Sequence, residues 1–247
     1  MNRLKVVTYN IHKGVQGLGP AQRLEIHNLL HAVEQFDADL VCLQEVRLHH
    51  RLQARRFRRW PHEGQAEYLA PEGYEAVYRT NAVTRHGEHG NALLSRWPVL
   101  DHQHENISDH RFEQRGLLHV TVQVQGREVH VVVVHFGLLP MSRVRQAEQL
   151  CAFVTREIPA EAPVLVAGDF NDWGQTVSRI LARSGLQPSQ ARHPTPTFPA
   201  RLPLVQLDHI YARGLVAQAC ATPQGRIWSR MSDHLPLLVE FDWGEGA

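Results

Sequence analysis

Apolar positions along the chain follow two periods, and the switches between them lay out the elements. Lys5–Ile11 and Asp39–Val46 are compact apolar runs of strand length, and Gln22–Phe36 between them carries Ile26, Leu29, Leu30, Val33 and Phe36 at helical spacing. The pattern predicts a β-α-β opening with a helix laid over a sheet. Arg47–Arg59 is polar and dense in arginine. Tyr74–Arg79 and Asn91–Ser95 read as short strands, set apart by the polar, glycine-containing segment Thr84–Gly90 within a region that mixes helix and loops. Leu117–Gln125 and Glu128–His135 are rich in β-branched residues and flank Gly126-Arg127, which predicts a hairpin. A helical pattern over Ser142–Ile158 and an apolar run at Pro163–Ala167 make a second β-α-β unit, so the plan reads as internally duplicated. Gln175–Arg183 reads as a short helix, His193–Pro203 as a proline-rich connection, and Val205–Tyr211 and Leu237–Phe241 as closing strands.

Composition narrows the class. A chain of 247 residues, 43% hydrophobic and 21% charged, fits one ordinary globular domain spanning 1–247. Its 26 basic and 25 acidic residues leave a net charge of +1, so no global field draws it to nucleic acid or membrane, and any polyanion affinity must be local. Cys42, Cys151 and Cys220 are odd in number and far apart, so neither a disulfide framework nor a zinc knuckle is readable. The N-terminal residues run into a strand without an apolar signal core, and no stretch approaches membrane-spanning length, which predicts a cytoplasmic protein without membrane insertion, monomeric by default.

Candidate chemistry lies at the ends of the apolar runs. Asn10, Glu45, His135, Asp169, Asn171, Asp208, Asp233 and His234 each fall at or just beyond one of them, where a rigid sheet holds groups at its edge. Taken singly, such residues are turn formers or caps. Glu45 is a carboxylate suited to a hard divalent cation, and Asp169 and Asn171 are two apart, so an extended backbone puts them on one face. The 17 histidines keep zinc in view, yet none shows the close ligand spacing of a zinc site. Gly14, Gly17 and Gly19 lack the lysine and spacing of a phosphate-cradling loop and read as a flexible rim.

The ordered set Thr-Tyr-Asn10-Ile-His, Leu-Gln-Glu45-Val, His135-Phe-Gly-Leu, Gly-Asp169-Phe-Asn171-Asp, Leu-Asp208-His-Ile and Ser-Asp233-His234-Leu-Pro resembles the endonuclease/exonuclease/phosphatase superfamily, from Thr8 to Phe241. That superfamily includes deoxyribonuclease I-like and exonuclease III-like nucleases, bacterial sphingomyelinases and inositol polyphosphate 5-phosphatases. The resemblance implies an α/β fold, a four-layered α/β sandwich of two packed mixed β-sheets flanked by helices. It also implies a metal shell of Glu45, Asn10 and Asp233 for Mg²⁺, with Mn²⁺ as a substitute. Asp169 is implied to activate water, Asn171 to position phosphate or nucleophile, and His234 to contact phosphate with Asp208 holding its imidazole. His135 matches the histidine of the nuclease I-like, sphingomyelinase and inositol phosphatase branches, where the exonuclease III-like branch has tyrosine.

Outside the motifs, Arg47, Arg51, Arg55 and Arg59 would stack along one helical face and offer a phosphate-binding stripe; the alternative is a solvated face paired with acids. Gly-Asn91-Ala-Leu-Leu-Ser and Gln114-Arg115-Gly116 resemble further strands of the superfamily and make Arg115 a phosphate contact. Glu88, His89 and His12 carry no assigned role. Trp60, Trp97, Trp173 and Phe198 are candidate platforms for a base or acyl chain, with buried packing the default for all but Trp173. The leading functional expectation is an Mg²⁺-dependent hydrolase of phosphodiesters, nucleic acid among them. A phosphomonoesterase or lipid phosphodiesterase acting on an anionic headgroup is the second, and a scaffold without chemistry the third.

Overall fold

The computed structural model describes residues 3–189 and 194–244. In chain order the strands are β1 (Leu4–Asn10), β2 (Val15–Gln16), β3 (Arg23–Leu24), β4 (Leu40–Val46), β5 (Glu75–Thr84), β6 (Gly87–Ser95), β7 (Val99–Asn106), β8 (Gly116–Val124), β9 (Arg127–His135), β10 (Val164–Asp169), β11 (Gln187–Pro188), β12 (Asp208–Arg213), β13 (Leu215–Ala221) and β14 (Leu237–Trp243). The α-helices are α1 (Ile26–Phe36), α2 (Arg51–Arg56), α3 (Gln65–Leu69), α4 (Pro140–Glu157), α5 (Thr176–Leu181) and α6 (Trp228–Met231).

Two mixed six-stranded sheets form, in the orders β13-β14-β1-β4-β6-β5 and β11-β12-β10-β9-β8-β7. Each contains one parallel pair, β1 with β4 and β9 with β10, and each pair is the product of a β-α-β unit crossing through α1 or α4. The duplicated plan expected from the apolar pattern is thus present in the pairing.

Strand alternation builds the layers. Leu4 and Val6 of β1 face the second sheet and pack with Leu118, Val131, Val133, Leu165 and Ile210, while their neighbours Val7 and Tyr9 turn outward against Ile26, Leu29, Val33 and Phe36 of α1. On the other side Val164 and Val166 pack under Ala147, Leu150, Phe153 and Val154 of α4, and Leu165 and Ala167 point inward. The result is helices, sheet, sheet, helices, a four-layered α/β sandwich. No helix among the described residues is long and apolar enough to cross a membrane.

Several boundaries differ from the expectation for physical reasons. α1 starts at Ile26 rather than Gln22, because Arg23 and Leu24 pair with Gln16 and Val15 and the Glu25 amide donates to Gly14 O at 2.9 Å. β5 and β6 reach Thr84 and Gly87, so Thr84–Gly90 is the tip of a long hairpin and not a polar divider. The β8–β9 turn sits at Gln125-Gly126, both at positive φ (51° and 84°), as a tight hairpin turn demands. β7 and β13 were not expected. Both lie at sheet edges: β7 (VLDHQHEN) is mostly polar, and β13 (LVAQACA) is built largely of small, half-exposed residues, so neither shows the bulky buried run of a central strand. The last expected strand of the second sheet, Val205–Tyr211, is β12 and begins later, at Asp208. His193, the first residue of the proline-rich connection, lies outside the described residues.

Candidate active site

The inward-facing rows of the central strands stay apolar through the core and turn polar at one end of the sandwich. Val129, Val131 and Val133 lead to His135 on β9, Leu165 and Ala167 lead to Asp169 on β10, and Ala212 and Ile210 lead back to Asp208 on β12. From the opposing sheet, Leu4 and Val6 lead through Thr8 to Asn10. Because register pairs Asp169 with both His135 and Asp208, these three arrive side by side.

Asp169 is the hub. Its Oδ2 accepts from Asn10 Nδ2 at 3.0 Å and lies 3.5 Å from His135 Nε2 and 3.6 Å from His234 Nε2. Its Oδ1 accepts the Asn171 amide at 3.0 Å. Asn171, at a left-handed φ of 50°, donates its Nδ2 to Phe136 O at 3.0 Å, which ties the loop after β10 to the end of β9. Burial pushes the Asp169 carboxyl well above the usual carboxylate range, against the nearby His234.

His234 Nδ1 lies 2.8 Å from Asp208 Oδ2. Burial alone would strip the imidazole of its proton, but Asp208 and Asp169 hold its pKa up to about 10. Asp208 is fully buried, and its other oxygen, Oδ1, has no hydrogen-bond partner among the described residues. A buried acceptor left bare costs stability unless a further donor reaches it. Ser232 fixes the approach of His234: its Oγ donates to Asn10 O at 2.6 Å and accepts the His234 amide at 3.2 Å. His135 is buried, and burial with the nearby Arg115 drives its pKa well down, so it is neutral.

Glu45 faces the same edge from β4. Its φ of 58° and the bulge between Leu43 and Val46 swing it out of the strand's alternation. Burial would raise its pKa, but the Lys13 ammonium, with Nζ 2.7 Å from Oε2, holds it down to about 2. His12 Nδ1 lies 3.0 Å from Asp233 Oδ1, and the His12 amide donates to Asn10 Oδ1 at 3.1 Å. His12, Lys13 and Gly14 all have positive φ, a left-handed turn that sets the His12 imidazole against Asp233 and the Lys13 ammonium against Glu45.

The edge therefore gathers Asn10, His135, Asp169, Asn171, Asp208 and His234 into one connected network, with Glu45 and Asp233 beside it on the Lys13–His12 turn. Trp173, 65% exposed, stands edge-on to Phe198 at 6.5 Å, and Phe198 lies 4.9 Å from the His234 ring. Arg115 is held by Glu113 at 3.0 Å. The arginine stripe does not form as a single face. Helix α2 ends at Arg56, so Arg51 and Arg55 share a face, while Arg59 lies beyond it and Arg47 precedes it, half-buried, its pKa lowered to about 10 by burial. Lys13 and Ser232 were missed, and Phe198, expected as a platform with buried packing the default, stands against the His234 ring. Lys13 carried a readable signal, a cation three residues past Asn10 in a glycine-ended turn. Ser232 and Phe198 act through contacts between distant segments.

Among the described residues, Asp169, Asp208 and His234 bring ligand atoms within 4.8 Å of one another. The Asp208–His234 hydrogen bond and the proton on His234 speak against a cation there. The oxygen set of Glu45, Asp233 and Asn10 suits a hard divalent ion, and Glu45 already attracts the one ammonium near it.

A two-sheet sandwich with an acid, amide and imidazole network at one edge defines a class, and comparison with known proteins gives the same class. The chain matches the Endonuclease/Exonuclease/phosphatase family over residues 7–234 and belongs to it. Members of this superfamily are generally divalent-metal-dependent hydrolases of phosphoester bonds. It is 38% identical over 243 residues to the uncharacterized protein YbhP of Escherichia coli (strain K12), covering 96% of this chain and 95% of the relative. The fold is similar to an endonuclease/exonuclease/phosphatase from Beutenbergia cavernae (TM-score 0.78, 22% identity, 99% of this chain and 72% of that one). It is also similar to D. rerio TDP2 complexed with single strand DNA product (TM-score 0.73, 16% identity, 98% and 100%).

Proposed function

We propose that this protein is a divalent-metal-dependent phosphodiesterase that cleaves its ester by in-line attack of water, with a nucleic acid strand as substrate. The observation that carries the reading is the unbroken chain Asp208–His234–Asp169–Asn10, which sets a protonated imidazole and a burial-raised carboxyl on one edge. Asp169 takes the proton of the attacking water, since burial brings its proton affinity toward the working pH. Asn10 and the Asn171 amide hold that carboxylate in place. His234, kept charged by Asp208, binds a phosphoryl oxygen and offsets charge that grows during attack. Neutral His135 donates a hydrogen bond beside it, and the Asn171 side chain aligns phosphate or water.

Glu45, with Asn10 and Asp233, would hold Mg²⁺ or Mn²⁺. When bound, such an ion polarises the phosphoryl group and offsets its charge. Nucleic acid as substrate is supported by the DNA product in the similar TDP2 structure and by the exposed Trp173 beside the His234 wall. Exposed Leu138, Leu139 and Met141, on the segment just after His135, favour a second reading, in which a phospholipid headgroup is hydrolysed as a diester or monoester.

The test is a panel of plasmid DNA, single-stranded DNA, RNA, a chromogenic phosphodiester, phosphoinositides and phospholipids, run with Mg²⁺, Mn²⁺ or chelator. Metal-dependent cleavage of nucleic acid that is lost in Glu45→Gln and Asp169→Asn is expected. Activity surviving both substitutions would remove the proposed site, and turnover confined to lipids would install the second reading.

A further inference from the structure

Beside Glu45, and away from Asp169, Asp208 and His234, a cleft of about 440 Å³ opens between the β5–β6 hairpin and the segment 111–115. Its charged and polar lining is Lys13, Glu45, His89, Arg111, Gln114 and Arg115, together with Glu113. Three full cations face two carboxylates there. Lys13 is paired with Glu45 and Arg115 with Glu113, which leaves the charge of Arg111 uncancelled.

The lining is built, not incidental. The Arg115 backbone is bolted down by Ser108, whose Oγ accepts its amide at 2.8 Å and donates to its carbonyl at 3.2 Å. Glu113 holds its guanidinium at 3.0 Å and also accepts the Leu138 amide at 3.1 Å, so Arg115 is anchored to the segment that follows His135. With only one-eighth of its side chain exposed, Arg115 keeps a buried Nε that has no hydrogen-bond partner among the described residues. A fixed, buried guanidinium with an unmet donor is a seat for an oxyanion. At the mouth, Arg111 lies over the Phe112 ring at 4.7 Å, and that ring is 81% exposed, which leaves its other face open to a planar group.

We propose that this cleft is a subsite for a second phosphate carried by the same substrate molecule, so that the preferred substrate is a phosphoester bearing another phosphate next to the one cleaved. The proposal rests on the phosphoesterase reading above. The scissile group belongs at the Asp169–His234 edge, and the cleft adjoins that edge through Lys13, Glu45 and Arg115, the last near His135, so an anion seated on Arg115 and Arg111 is a neighbour of the reacting one. A nucleotide carrying 3′ and 5′ phosphates and a phosphorylated inositol both present that chemistry.

Calorimetric titration in Mg²⁺ buffer tests it without needing turnover. Thymidine 3′,5′-bisphosphate is compared with thymidine 5′-monophosphate, and inositol 1,4-bisphosphate with inositol 1-phosphate, on wild type, Arg111→Ser, Arg115→Gln and Arg179→Ser, the last being exposed on α5 outside the cleft. The bisphosphate of at least one pair is expected to bind at least tenfold tighter than its monophosphate, and the pair that does so identifies the source of the second phosphate. That preference is expected to fall below threefold in the two cleft variants and to persist in Arg179→Ser. Equal affinities in both pairs, or a preference that Arg179→Ser erodes as much as the cleft variants do, would overturn the subsite. Either result stands whether or not the phosphoester panel detects cleavage, so the two readings fail separately.

Discussion

Asn10 and Asp169 are 159 residues apart in the chain and joined by a 3.0 Å hydrogen bond between side chains, each at the end of a central strand of a different sheet. The bond closes the sandwich at its polar edge, and the chemistry proposed for that edge depends on what surrounds it.

The proton on His234 depends on Asp208. The wild-type pKa, held near 10, lies above the ordinary value of 6.5, so the imidazolium and its stabilising ion pair are fully present below 6.5 and lost as pH rises through about 10. In Asp208→Asn burial acts without that opposing carboxylate, and the proton leaves at lower pH. The pH profile of kcat/KM is expected to lose its alkaline plateau in this variant and to fall above about pH 7, with activity reduced roughly 10²-fold or more. An unchanged profile would show that Asp208 does not set the charge of His234.

Gly168 sits where β10 passes closest to β9. A Cβ there would overlap the Val134 carbonyl oxygen, one residue before His135. Gly168→Ala must push the two strands apart, and it is expected to cost about 2 kcal/mol or more and to lower activity together with the melting temperature. Thermal unfolding and kcat measured on one preparation check the coupling.

Stability should also fall in mild acid for a reason remote from the site. His119 and His130 stack on the outer face of the second sheet, 3.0 Å apart between Nε2 and Nδ1, with Gln103 Nε2 3.1 Å from His119 Nδ1. Burial, with His130 adding to it, lowers the His119 pKa from 6.5 to about 4. A depressed histidine is neutral in the fold, so its contribution is present above pH 6.5 and is lost as pH falls toward 4. Wild type is expected to lose on the order of 2 kcal/mol over that window, and His119→Gln to lose less. Denaturant melts at pH 7.5 and 4.5 measure the difference.

Trp173 contributes little to the core, being 65% exposed, and stands edge-on to Phe198, which borders the site. Trp173→Ala is expected to leave the melting temperature within about a degree and to raise KM several-fold for substrates with a base beside the scissile phosphate, since stacking on an aromatic is worth about 1–3 kcal/mol. An equal change in KM for a small phosphodiester without a ring would argue against stacking.

The arginines after Glu45 give the salt-dependent test. Replacing Arg51, Arg55 and Arg59 with serine is expected to raise KM for long polyanions and flatten its dependence on ionic strength, while a small diester is unaffected. Since Arg59 lies beyond the end of α2, the double variant at Arg51 and Arg55 should carry most of the effect.

How far the fold was legible follows from where burial is continuous. The β-α-β units announced themselves because the strands within Lys5–Ile11, Asp39–Val46 and Pro163–Ala167 are buried on both faces, which shows as compact apolar stretches such as Leu40–Leu43 and Val164–Ala167. β7 and β13 lie at sheet edges, each paired with only the next strand, and lack the two-sided burial that marks the central strands. The eight residues singled out from the strand ends do converge, because each ends or follows an apolar run and the runs end together. Lys13 was readable as a cation just past Asn10, but its pairing with Glu45 and the Ser232 link to Asn10 were not, since both depend on left-handed or extended backbone that only the assembled edge selects.

The polar edge takes Asn10 and Glu45 from the first β-α-β unit and His135 and Asp169 from the second, with Asp208, Asp233 and His234 added by the later strand β12 and the segment before β14. It is therefore a gauge of how the two sheets are docked. Strand side chains alternate in direction, so a slip of one residue along either central strand would turn Asn10 or Asp169 away from the other while leaving much of each sheet intact. Loss of the Asn10–Asp169 contact should precede loss of secondary structure on mild denaturation, and neither half of the chain alone can assemble the site.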